Sequence, residues 1–498
     1  MKKVIFCAVA LFVGGMTYAQ VTDSQGNVAP APNKISALAG SAAGANTGLS
    51  VQNGHENKVR VRQAGTSQSA YTFQDDGTTG FGENQADVRQ TGAVSAASGV
   101  ANAADVRQSG ALNSSATRQE GDDNNAVTRQ GQIDGSSTAN KARIRQGTGQ
   151  QAQENYAAID QNGDNNWAST QQTYDNSEAW TQQTGDNNKS MIVQDAGPNQ
   201  TDGHFAVNEQ EGDRNESSIG QSGNGARNSA RAIQGGNDNQ AKQNQYATDG
   251  TGGTGNSAGI DQGIDGARRS VAAPEAITQW SAVAANVDGN AGSLGYVPPT
   301  EGNKATQTQV GAGNSAGIFQ LGGSVGYSNY GEQVQTGDDN NAGMVQAHYF
   351  DGNNSNYAKQ EQDGATNTAG LAQEGSGHKS YQNQVGDDNI SLAYQQGKDH
   401  MLNTHQMGDG NVAYATQSGA ENRALIVQHD GQSYTVEQNK GIGNTDFSVG
   451  GNQANILQMG PDGDFGAGAI DCGFDEPMDL DMDYDFPGVD LGDICGGC

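Results

Sequence analysis

An extended segment of fixed length, Asn-x-Ala/Ser-x-x-x-Gln, recurs along most of this chain and is joined to its copies by glycine-containing turns. Gln119-Glu120-Gly121-Asp122-Asp123-Asn124-Asn125-Ala126-Val127-Thr128-Arg129-Gln130 is one full unit. The stretches Gln161 to Gln172, Gln183 to Gln194, Gln335 to Gln346, Gln406 to Gln417 and Gln417 to Gln428 repeat it. A short fixed period means that each unit packs on its neighbours in one dimension, so length stops being a guide to the number of globular domains. Hydrophobic residues make up 33% and charged residues 16% of 498 positions, with 73 glycines, which leaves too little aliphatic volume for a wide core. Such a chain is either disordered or a narrow, polar-laddered β structure, and a register kept over hundreds of residues selects the second.

Side chains at every second position of a strand share a face. Asn422, Ala424, Ile426 and Gln428 make one face polar, small, apolar and polar; Asn188, Ser190, Ile192 and Gln194 repeat it, as do Asn57, Val59, Val61, Gln63 and Asn314, Ala316, Ile318, Gln320. The opposite face varies freely, with Trp167, Lys189, Tyr394 and Tyr414 among its members. The near-constant face is therefore the inside, and its small second residue leaves room for only a thin interior. The expected fold is all-β: a thin two-sheet β-solenoid of about 22-residue coils, each strand-turn-strand-turn, stacked at roughly 4.8 Å. About thirty strands, hence about fifteen coils, predict a rod on the order of 70 Å long.

Turn lengths test this independently. The step from Gln to the next Asn is five residues in the common case and lengthens at Gln74 to Asn84, Gln90 to Asn102, Gln130 to Asn140, Gln146 to Asn155, Gln245 to Asn256 and Gln346 to Asn356, while Asn-to-Gln stays at six. Gly, Asp and Asn suit the reversals because they tolerate positive φ and bond their own backbone. The structural ladder is expected at Gln119, Gly121, Asn124, Ala126, Gln130, at Gln161, Gly163, Asn166, Ala168, Gln172, at Gln335, Gly337, Asn340, Ala342, Gln346, and at Gln406, Gly408, Asn411, Ala413, Gln417, Asn422, Ala424, Gln428.

The chain divides accordingly. Residues 1–19 read as a secretory signal, with Lys2 and Lys3 before the apolar run Val4 to Val13 and Thr17-Tyr18-Ala19 before the cut. Residues 20–45 form a flexible leader, 46–262 and 303–458 carry repeats, 263–302 is a protruding loop expected to divide the rod in two, and 459–498 is an acidic tail. Pro298-Pro299 keeps that loop out of a ladder, although Ala273 to Gln279 reads as one degraded strand. No segment approaches the ~20 apolar residues of a membrane span. Losing Lys2 and Lys3 takes the formal charge from −30 to −32, which opposes binding to nucleic acid.

The unit Gln-x-Gly-x-x-Asn-x-Ala-x-x-x-Gln resembles the curlin repeat of curli fibre subunits from about Asn46 to Gln458; Gly121, Asn124, Ala126, Gln130 and Gly408, Asn411, Ala413, Gln417 fall on its motif positions. The resemblance implies a protein secreted through a curli-type outer-membrane apparatus that assembles outside the cell, with itself and with other curlin-like subunits, into amyloid fibres for adhesion and biofilm matrix. It implies no enzyme activity and no cofactor.

Other features have plainer readings. His204, His378 and His400 stand where a repeat Asn belongs, as substituted ladder residues rather than catalytic or metal groups. The Gly-Asp-Asp-Asn-Asn turns offer oxygens to calcium but lack the tandem Gly-Gly-x-Gly-x-Asp of a calcium-binding β-roll. Arg62, Arg89, Arg107, Arg118, Arg129 and Arg145 all precede a closing Gln and are expected in one outward column, a solvated face partly neutralised by Asp87 and Asp105 or else a strip for anionic polysaccharide. Cys472, Cys495 and Cys498 remain once Cys7 leaves with the signal; a disulfide within or between chains fits them better than zinc, for which Cys495-Gly496-Gly497-Cys498 lacks a second pair. The competing function is a monomeric cell-surface adhesin that presents its loops on the same rod. A parallel β-helix enzyme would need thicker aliphatic coils, and an ice-binding solenoid would need flat Thr columns.

Overall fold

The structure, a computed structural model, describes residues 45–92, 102–131, 135–147, 152–197, 203–223, 226–247, 255–263, 301–322, 328–347, 355–439 and 449–460. Their strands sort into two parallel sheets of 15 and 16 strands. Consecutive strands alternate between the sheets, so two strands and two turns close one coil and each strand pairs with the second one after it. The first sheet runs from Thr47–Gln52 to Ser433–Gln438 and the second from Lys58–Ala64 to Gln453–Met459, while the short Ala152–Gln153 pairs aside with Ser114–Asp122. This is the all-β, two-sheet solenoid that the repeat predicts.

Register is set by the amides. Gln161 lies over Gln183, 22 residues on, and Gln74 lies over Gln108, 34 residues on; the added residues enter turns and leave the pairing intact. The same logic corrects the expectation that the loop at 263–302 divides the rod. Gln240–Ala247 pairs directly with Lys304–Val310, and Ser257–Gln262 with Ser315–Leu321, so the stack passes the insertion without a break. An insertion between a Gln and the next Asn lengthens one turn and touches no strand. The signal, most of the leader, the interior of that loop with Ala273 to Gln279, and the tail beyond Gly460 lie outside the described residues.

The interior is as thin as the small residues dictate. Ala179, Ala206, Ala230 and Ala241 pack with Ile192, Ile219 and Ile260 in one buried cluster that continues to Ala424 and Ile426. Each buried Ile contributes roughly 1.5–3 kcal/mol, so the aliphatic column is a modest source of stability and the polar columns beside it must be fully bonded.

Candidate functional site

The closing glutamines form one unbroken column in each sheet. In the first sheet, Gln130 donates from Nε2 to Oε1 of Gln161 and Gln161 to Gln183, at 2.9 and 2.8 Å, and further up Gln320 donates to Gln346 and Gln395 to Gln417. In the second sheet Gln119 donates to Gln146, Gln146 to Gln172, Gln309 to Gln335, Gln384 to Gln406 and Gln406 to Gln428. The second Nε2 hydrogen crosses the interior to a carbonyl that opens a strand of the facing sheet, as from Gln172 to Tyr156 at 2.8 Å, Gln335 to Ser315 at 3.0 Å and Gln417 to Met401 at 3.0 Å. One amide thus ties coil to coil and sheet to sheet. A lone buried amide would cost about 1–3 kcal/mol.

Asparagines do the equivalent at the strand openings. Asn166 donates its backbone N–H to Oδ1 of Asn140, accepts the N–H of Asn188 on its own Oδ1, and donates Nδ2 to the carbonyl of Gly185 at 2.6 Å. Asn340 and Asn411 repeat the backbone bond on Asn314 and Asn389, and Asn124 on Asn102. The Gly-x-x-Asn spacing follows from this contact. Gly163 has φ +108°, and a Cβ on it would overlap the Gly185 carbonyl oxygen of the next coil, which lies there to receive the Asn166 amide. Gly121, Gly337 and Gly408 open their turns with positive φ as well. Ala126, Ala168, Ala342, Ala413 and Ala424 are all buried at the second inward place.

His204, His378 and His400 occupy Asn places and copy the amide's bonding. Nδ1 of His400 accepts the N–H of Asn422 at 3.2 Å, and Nε2 donates to the carbonyl of Gln396 at 3.0 Å; His378 serves His400 and Glu374 in the same way. Nδ1 of His204 accepts the N–H of Asn228. Burial pushes His204 and His400 down to about 4, so both are neutral. In the turns, carboxylates accept stacking N–H groups, as from Asp164 to Asp186 and Asp387 to Asp409. Among the described residues no three His, Cys, Asp or Glu converge on a metal position.

Two features depart from the expected pattern. The third inward place is apolar in most strands, but in five successive strands of the second sheet it is Gln243, Gln307, Gln333, Gln360 and Gln382, which form a third amide column at 2.8 to 2.9 Å. These amides also donate across to the carbonyls of Gly259, Gly317 and Gly343 in the facing sheet. The run of Gln two places before the closing Gln was its visible sign. The arginines, expected in one column, fall in two: Arg62, Arg89, Arg118 and Arg145 align on the second sheet, whereas Arg107 and Arg129 align on the first. Alternate strands belong to opposite sheets, so a side chain repeated in every strand is split between two faces. Cys472, Cys495 and Cys498 lie outside the described residues.

Fold and ladders together define an amide-laddered, two-sheet β-solenoid. The curlin-associated-repeat family model matches residues 402–429, which hold most of strand Met401–Met407 and all of Val412–Ala420 and Arg423–His429, and this supports assigning the chain to the curlin-repeat family. That family is structural rather than enzymatic, and its members are components of extracellular fibres. No curated protein matches the chain.

Proposed function

We propose that this chain is a secreted structural subunit that stacks end to end into curli-like extracellular amyloid fibres for adhesion and biofilm matrix. The observation that carries the reading is the common direction of the ladders. Every closing Gln donates toward the C-terminal coil, from Gln52 to Gln74 and Gln63 to Gln90 at one end to Gln417 to Gln438 and Gln428 to Gln458 at the other. Among the described residues the first coil therefore presents the Oε1 acceptors of Gln52 and Gln63, and the last coil presents spare Nε2 hydrogens of Gln438 and Gln458. These ends are complementary and not self-complementary, and each also exposes strand edges. A contact of this kind joins tail to head and extends without closing.

The assembly partner is a second copy, with other curlin-like subunits and a curli-type outer-membrane secretion apparatus implied by the family. Electron microscopy of the purified mature chain tests the reading. Filaments with a cross-β repeat near 4.8 Å are expected, whereas isolated rods on the order of 70 Å would favour the monomeric adhesin.

A further inference from the structure

We propose that the basic face of the second sheet docks the acidic C-terminal tail of the neighbouring copy in a fibre, an inference that rests on end-to-end stacking. Arg62, Arg89, Arg118 and Arg145 stand in register on four successive strands, roughly 4.8 Å apart, with Lys58 and Lys141 aligned at the strand openings. In a chain of formal charge −30 this is a concentrated positive strip. Asp87 pairs with Arg60 and Arg62, and Glu120 with Arg118, which leaves the strip in surplus. Arg145 shows that surplus directly. Its Nε has no hydrogen-bond partner among the described residues, and burial together with the like charges of Arg118 and Arg143 holds its guanidinium below the usual range.

The occupant is indicated by charge and by where the described chain ends. Residues 461–498 carry eleven Asp and Glu and no Lys or Arg, with Asp479, Asp481, Asp483 and Asp485 alternating with apolar residues. That segment follows Gly460 in sequence, next to Gln453–Met459, the last strand of the sheet whose first strand carries Arg62. In a stack, the strip of the next copy lies one to four strand steps away, about 5–19 Å. About twenty residues of unconstrained chain span roughly 26 Å, which is enough to reach that strip. Its own strip begins about 53 Å away, so the same carboxylates meet it at a far lower effective concentration.

Unlabelled and 15N-labelled mature chains, mixed before assembly and treated with a carbodiimide, provide the test, because the reagent joins a carboxylate to a lysine only in direct contact. Mixed-isotope cross-links between the tail and Lys58 or Lys141 are expected, and they should fall at least about fivefold when Arg89, Arg118 and Arg145 are changed to Gln, or Asp479, Asp481, Asp483 and Asp485 to Asn. The Asn variant should also elongate about tenfold more slowly at low salt and match the parent at 0.5 M. Cross-links confined to one isotope would overturn the proposal in favour of a tail folded on its own rod. Abundant fibres without such cross-links, or fibres whose strip still takes up heparin as an anionic-polysaccharide probe, would overturn it while leaving end-to-end stacking intact. No fibres at all would remove the stacking reading itself.

Discussion

The imidazole of His400 stacks on that of His378, ring centroids 5.1 Å apart and 10° from parallel, in a column otherwise built from asparagine amides. Each ring uses both nitrogens as an amide uses its oxygen and nitrogen, accepting on Nδ1 and donating from Nε2. Protonation would remove the acceptor and place two like charges in contact.

Acidification should therefore loosen the rod in a defined window. His204 and His400 are held at about 4 by burial, against a usual 6.5, so the unfolded chain binds their protons first. The cost appears as pH falls through 6.5 and is complete near 4, on the order of 3 kcal/mol for each. Denaturation midpoints measured between pH 7.5 and 4 should fall for the parent chain and stay flatter for the triple variant His204→Asn, His378→Asn, His400→Asn. Equal slopes would contradict the assignment.

Replacing Asn411 and Gln417 with Leu should slow fibre formation. Gln417 accepts from Gln395 and donates to Gln438 and the Met401 carbonyl, so Gln417→Leu orphans three buried groups at about 1–3 kcal/mol each before relaxation. Asn411 likewise holds Asn389, Met407 and Gln432. Thioflavin kinetics and fibre yield are the readouts, and unchanged values would count against the ladder as the source of assembly.

Two glycines separate stacking from backbone strain. Gly185 has φ +100° and a Cβ there would overlap the Gly212 carbonyl, while Gly410 has φ +71° with no atom within 4 Å of such a Cβ. Gly410→Ala should cost only about 1 kcal/mol, and Gly185→Ala at least twice that, by chemical denaturation.

The third glutamine column should show strong non-additivity. Gln360→Met alone strands the Gln333 donor and the Gln382 acceptor, for about 2–4 kcal/mol. Changing all five glutamines to Met leaves no unpaired glutamine in the column and should cost less per substitution, because only carbonyls and the Ser391 hydroxyl on the facing sheet then lose a bond.

The joint between copies has its own shape. Tyr434 stands in register with Ala413 at a place that is small in the coils below, and at the other end Gly48 stands in register with Ala70. Stacking sets Tyr434 over Gly48, so Gly48→Leu should block elongation. A Cβ at Gly48 has only ordinary contacts at 3.8 and 3.9 Å within the single chain, so its circular dichroism and stability should hardly change. Normal elongation by this variant would argue for another joint.

What sequence alone determined is considerable. Asn and Gln six places apart, with a small residue two places after the Asn, bracket an extended segment whose inner face can be only a thin amide-laddered interior, and glycine before the Asn marks a turn with positive φ. These are local properties of one repeat, and each copy states them again. The tertiary structure decided what depends on which strand lies beside which. It split the arginines between two faces, carried the stack across the 263–302 insertion, gave Gly163 its second reason in the carbonyl of the coil above, and joined Gln243 to Gln382 as a column although 139 positions separate them. Neighbours in a solenoid are separated by turns of variable length, so proximity along the chain does not encode proximity in the stack, and only the closed coil reveals which side chains meet.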